Sequence, residues 1–208
     1  MANTTFSGAV RSKGGFTSIS ENSTTGAITT LSSIDSSGIS SFDANTLTTE
    51  AGTGITTGSG TIYRSSVQRV GGIITTRILI DLTGLRSTGS GDIIGVNGTS
   101  LVCHIGQITA AQNGTILTGS MECFEAPAGG DPDLNVHSAT EGTGVEDGAI
   151  SSLAETLLVN AGDATLGSKV YFTAVPAADE FLYLTTGDAT DADYTAGKLF
   201  IEMMGYAA

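Results

Sequence analysis

Residues 61–82 read TIYRSSVQRVGGIITTRILIDL, and their pattern decides the fold. Ile74, Thr76, Ile78, Ile80 and Leu82 share one parity, while Thr75, Arg77, Leu79 and Asp81 share the other. Successive side chains of a strand point to opposite sides of a sheet, so this alternation predicts a half-buried β-strand. The preceding Gly71-Gly72 pair supplies the positive φ that a two-residue hairpin loop requires, which predicts a strand on each side of it. Arg77 and Asp81 stand two pleats apart on the more polar face, where an exposed ion pair contributes on the order of 0–1 kcal/mol.

The same punctuation continues outward at Asn97-Gly98 and Asn113-Gly114. After the loop TGLRSTGSGD (83–92), the segment DIIGV (92–96) predicts a short strand. A two-residue turn at Asn113-Gly114 would pair Gln112 with Thr115, His104 with Cys123 and Cys103 with Phe124. That register sends the two thiols to opposite faces and disfavours a disulfide. It also predicts a buried face of Val102, Ile108, Leu117, Met121 and Cys123, with Cys123 a core thiol. FEAPAGGDPDLNVHSATEGTGVEDG (124–148) is acidic and rich in breakers, and reads as a long functional or partner-contacting loop. Around residues 150–160, Ile150, Leu153, Leu157 and Leu158 fit one helical face, but ETLLVN also fits a strand, and the strand is favoured. KVYFTAV (169–175), EFLYLTT (180–186) and GKLFIEMMGY (197–206) read as three strands, with the acidic loop GDATDADYTA (187–196) between the last two.

Residues 1–60 are dominated by Ser, Thr, Gly and Asn with isolated apolar residues. They are too polar for an independent core and too regularly seeded with apolar side chains for a flexible linker. Two forms fit: short strands, or an extended segment lying along a partner subunit whose sheet edge it completes. The expected architecture is therefore all-β. An antiparallel β-sandwich or jelly-roll-like body occupies residues 61–208, and an extended N-terminal arm occupies residues 1–60. Phe6, Arg11, Lys13 and Phe16 on that arm are of the residue types that anchor into pockets of a protein partner, the alternative being an ordinary tethered terminus.

Charge narrows the function classes. The formal net charge is -13, and residues 1–86 hold six of the eight basic residues against five acidic ones, leaving the remainder strongly acidic. Affinity for phosphate backbones comes mainly from Lys and Arg displacing counterions, so no nucleic-acid partner is expected. An acidic, self-repelling surface joined to a near-neutral region suits approach to another protein. No apolar run approaches the ~20 residues of a membrane span, and the N-terminus lacks a basic stretch followed by an apolar one. The expectation is a soluble protein made in a cytoplasm, without membrane association.

Catalytic constellations are sparse. Nucleophilic catalysis needs Ser, Cys or Thr beside a base. Of the two histidines, His104 adjoins Cys103, but consecutive strand residues face opposite ways, so His104 reads as a satisfied structural residue. His137 falls in the long acidic loop, where exposure is the default. The glycines form no phosphate-binding loop between strand and helix. Two acidic groups have the oxygen chemistry of a hard-cation site: Asp131, Asp133, Glu141, Glu146 and Asp147, and then Asp188, Asp191 and Asp193. Neither has EF-hand spacing, and solvated loop acids are the preferred reading, with no metal, cofactor or enzymatic activity expected. A carbohydrate-binding β module would show a row of exposed aromatics, which composition does not suggest in a chain without Trp.

FSGAVRSKGGF (6–16), YRSSVQRVGGIITTRILIDLTGLRSTGSGDIIG (63–95), HIGQITAAQNGTI (104–116), CFEAPAGGDPDLNVHSATEGTGVEDGAI (123–150) and YTAGKLFIEMMGY (194–206) span most of the chain. Together they resemble virion structural proteins of tailed bacteriophages, particularly marine ones, that accompany the major capsid protein. The resemblance implies a capsid decoration or cement protein on the capsid surface, bound to the major capsid protein and to copies of itself about a symmetry axis, a trimer being one such form. A tail or fibre component is the alternative within the virion.

Overall fold

A computed structural model describes residues 16–22, 24–34, 40–42, 46–98 and 100–206. The chain divides into two units, residues 1–44 and 45–208. In the first, β1 (Phe16–Glu21), β2 (Ile28–Ile34) and β3 (Ser40–Phe42) form an antiparallel sheet in that order. The β1–β2 turn is organised by Asn22, whose Oδ1 accepts the amides of Thr24 and Thr25 at 2.9 and 3.1 Å, with Gly26 at φ 70°. Among the described residues of this Ser/Thr-rich region, three stretches are short strands.

The second unit starts before residue 60, where its boundary was expected. Leu47 and Ile55 belong to its core, and the Gly52 and Gly54 amides donate to the His104 and Val102 carbonyls at 2.8 Å. The polar composition around these two apolar residues hides them in the sequence.

In chain order this unit contains α1 (Thr53–Thr56), β4 (Ile62–Val70), β5 (Ile73–Asp81), β6 (Arg86–Ser87), α2 (Ala110–Asn113) and β7 (Thr115–Ala128). β8 (Asp133–Ala139), a 3-10 turn (Ile150–Ser152), β9 (Glu155–Asp163), β10 (Lys169–Tyr171), β11 (Phe181–Thr186), β12 (Ala192–Asp193) and β13 (Ala196–Tyr206) follow. A five-stranded sheet runs β10-β7-β13-β5-β4, a three-stranded sheet β11-β8-β9, and a short ribbon β12-β6. All pairings among the described residues are antiparallel, and 49% of the chain is strand, so the protein is all-β with sheets packed as a sandwich.

The predicted β4–β5 hairpin forms, with Val70 opposite Ile73 and positive φ at Gly71 alone of the pair, as in a type II′ turn. Ile74, Thr76, Ile78 and Ile80 point inward, as do Leu199, Ile201 and Met203 of β13. They join a single core with Leu134 and Val136 of β8 and Leu182 and Leu184 of β11. Five consecutive residues of β11, Leu182 to Thr186, are buried, so that strand is covered on both faces. The three C-terminal strands and the strand in ETLLVN are present as expected.

Several expectations fail for one physical reason: pairing here is less local than the turn signals imply. Asn113-Gly114 closes α2 and is no hairpin turn. Asn113 is buried, its Oδ1 accepting the Thr109 amide at 2.8 Å and its Nδ2 donating to Thr76 Oγ1 at 2.7 Å. Strand β7 pairs with β13 and β10 instead of with residues 101–112. Leu117, expected in the core, lies beside a register shift between β7 and β13 and is exposed, whereas Ile108, Met121 and Cys123 are buried. Both cysteines are buried and free, although the pairing used to separate them does not exist. DIIGV makes only isolated bridges from Asp92, Ile93 and Gly95. The supposed loop 124–148 contributes the end of β7 and all of β8.

Candidate functional site

The two histidines occupy different surroundings. His137 is a buried residue of β8 whose Nδ1 lies 2.8 Å from Glu155 Oε2 of β9, so its expected place on an exposed loop is corrected. His104 is buried against Phe181 and Tyr183, with ring centroids 5.0 and 6.5 Å away. Its Nδ1 has no hydrogen-bond partner, so the residue is structural but not satisfied, and burial pushes its pKa down, which keeps the ring neutral. Burial pushes the neighbouring Cys103 thiol up to about 12, which leaves it protonated at neutral pH. Among the described residues no Ser, Thr or Cys side chain is hydrogen-bonded to either imidazole.

The acidic groups are regrouped by the fold. Asp133 at the start of β8, Asp163 at the end of β9 and Asp188 after β11 bring carboxylate oxygens within 4.8 Å of one another. Gly187 permits this, because a Cβ there would overlap the Asp133 carboxylate, while its amide donates to the Asp133 carbonyl at 2.8 Å. Asp131 lies behind them, buried, with its carboxylate accepting the Asp133 and Asp188 amides at 3.0 and 2.9 Å. Asp191 and Asp193, grouped with Asp188 on sequence, face away from this cluster into ion pairs with Arg86 at 2.7 and 2.9 Å. Asp163 escaped notice because it closes an apolar strand far from either acidic run. The cluster could offer a hard cation three oxygen ligands, fewer than the six to eight that calcium takes.

Burial raises the Asp131 carboxyl, with repulsion from Asp188 and Asp163 adding to it. Burial and then repulsion from Asp131, Asp188 and Asp163 raise that of Asp133. A raised carboxyl binds its proton more tightly in the folded state, so its contribution to stability falls as pH rises from about 4 through the folded pKa, and the penalty is complete above it. Asp163→Asn should therefore stabilise the chelator-treated protein at pH 7, by a few tenths to about 1 kcal/mol because Asp163 is exposed and screened. The gain should shrink toward pH 4. Thermal melts at the two pH values test this, and destabilisation at pH 7 would show that the carboxylates do not repel.

The second feature is the outer face of the five-stranded sheet. Register places Arg64 of β4, Arg77 and Asp81 of β5, Lys198 and Glu202 of β13, Glu122 of β7 and Lys169 of β10 on it. Arg77 and Asp81 do not pair with each other. Arg77 Nε donates to Glu202 at 2.7 Å, and Lys198 bridges Asp81 at 3.3 Å and Glu125. Lys169 meets Glu122 at 3.3 Å. The same face carries exposed apolar side chains: Ile62, Val70, Ile73, Met204, Tyr206 and Tyr171, the last 67% exposed. Phe124 stacks on Phe200, centroids 5.2 Å apart and planes at 11°. The aromatic group that composition did not suggest is thus assembled from β7, β10 and β13.

Of the arm residues, Phe16 opens β1 and is exposed. Phe6, Arg11 and Lys13 lie outside the described residues. No family model, curated protein or solved structure matches the chain. No helix among the described residues is long and apolar enough to cross a membrane.

Proposed function

We propose that this chain is a structural protein of a tailed-bacteriophage virion, a decoration protein that binds the outside of the capsid and stabilises the shell. The stretches quoted above suggest the virion, and one structural observation supports the mode of action. On an otherwise acidic body, a broad sheet face combines exposed apolar side chains with internally neutralised charges, the composition of a protein-contact surface. The protein acts by binding, without catalysis. A ligand of the assembled lattice that ignores free subunits stabilises the lattice by mass action, and an array of copies in contact adds avidity. Its partners are the major capsid protein and itself, with no nucleic acid or membrane involved, and it is made in the cytoplasm of the bacterial host. Phe6, Arg11, Lys13 and Phe16 serve as capsid anchors.

Immunogold labelling of particles with antibody to the full chain should mark the whole head. Labelling confined to the tail would move the assignment to a tail or fibre component, and unlabelled particles would remove both. Deleting residues 1–44 should abolish shell binding and leave the body folded, since Leu47 and Ile55 stay in the core. Retained binding by that variant would show that the arm is not the anchor. A carbohydrate-binding role is the second reading, favoured by Phe124, Phe200, Tyr171 and Tyr206 on one face. Glycan-array binding without virion association would support it.

A further inference from the structure

We propose that the outer face of the five-stranded sheet is where a second copy of this chain docks. The face concentrates exposure: Val70, Ile73, Met204 and Tyr206 lie together on adjoining strands at one end of the sheet, Tyr171 lies on the marginal strand β10, and Ile62 stands at the other end opposite Asp81. Lone exposed apolar residues need no explanation, but a contiguous set does.

Charge selects the occupant. Arg64, Arg77, Lys169 and Lys198 on this face balance Asp81, Glu122, Glu125 and Glu202, so the whole formal charge of -13 falls on the rest of the chain. A cationic partner would be drawn to that acidic remainder. Two equally acidic bodies repel everywhere except where each is neutral, and this face is the neutral one. A two-fold contact sets the same face of each copy against the other, so that neutral surface meets neutral surface. The four long strands give a projected area of about 600 Å² at ~4.8 Å between strands and ~3.3 Å per residue, near the ~800 Å² per partner of a stable interface.

This assignment supplies the surface for the self-association that the proposed function includes, and it stands or falls separately from virion binding. Sedimentation of the full chain from about 1 to 100 μM should show concentration-dependent association. Rising salt should strengthen it, since screening weakens the mutual repulsion of the acidic remainders. Met204→Glu on the middle strand of the face and Tyr171→Glu on its margin should each weaken association at least ~10-fold. Val175→Glu, an exposed apolar site off the face, should not. Both face positions are exposed, and far-UV circular dichroism checks that each variant folds; Tyr171→Glu decides if Met204→Glu does not fold. Association of any order with this pattern supports the proposal. A monomer at every concentration and salt, whether or not it binds shells, overturns it, and so does association that the face variants leave unchanged.

Discussion

Ile201→Ala should lower the free energy of unfolding by about 2–5 kcal/mol, the usual cost of removing a fully buried branched side chain and leaving a cavity. Ile201 sits on β13, the middle strand of five, with Ile78 opposite on one side and Met121 on the other. All three are buried, and interiors pack too densely for neighbours to close such a gap fully. Met204, three residues on and on the outer face, provides the contrast, because truncating an exposed side chain changes stability by only about 0.5 kcal/mol. Urea titrations should show a lower midpoint for Ile201→Ala at unchanged slope, and little change for Met204→Ala. Similar losses for the two variants would mean that β13 does not present opposite faces to core and solvent.

That contrast also marks what sequence can reveal. β5 is legible because one face is buried and the other wet, so its alternation survives in the residue types. β8 is not, because neighbours cover it on both sides, and its half-buried Asn135 and buried His137 and Ser138 are residue types that composition assigns to a loop. The charge asymmetry about residue 86 is visible in the sequence, yet the neutral face depends on the register of β13 against β5 and β7, strands far apart in the chain. Turn chemistry carries φ, not partners. Gly114 has the positive φ that an Asn-Gly pair foretells, but it ends a helical turn instead of joining two strands. The Asp133, Asp163 and Asp188 cluster has no spacing motif, because three separate strand ends build it.

Gly114→Ala should be among the most damaging single-methyl additions in the chain, for two separable reasons. At φ 67° and ψ -154° the backbone lies in a region open essentially to glycine, and forcing an L-residue into it costs about 1–3 kcal/mol. A Cβ would also overlap the Tyr206 carbonyl oxygen, and backbone cannot rotate aside as a side chain can. Relief would require separating α2 from the end of β13, where a Cβ on Gly205 would in turn overlap the Asn113 carbonyl oxygen, at a further ~1–3 kcal/mol for overpacking. Asn113 moves with it, so its buried bonds to Thr109 and Thr76 are strained as well. Gly71→Ala isolates the conformational part, since Gly71 also has positive φ but a Cβ there meets nothing within 4 Å. The expected order in urea midpoint is wild type, then Gly71→Ala, then Gly114→Ala, with the second gap at least as large as the first. Equal losses at the two glycines would show that α2 and the end of β13 do not approach this closely.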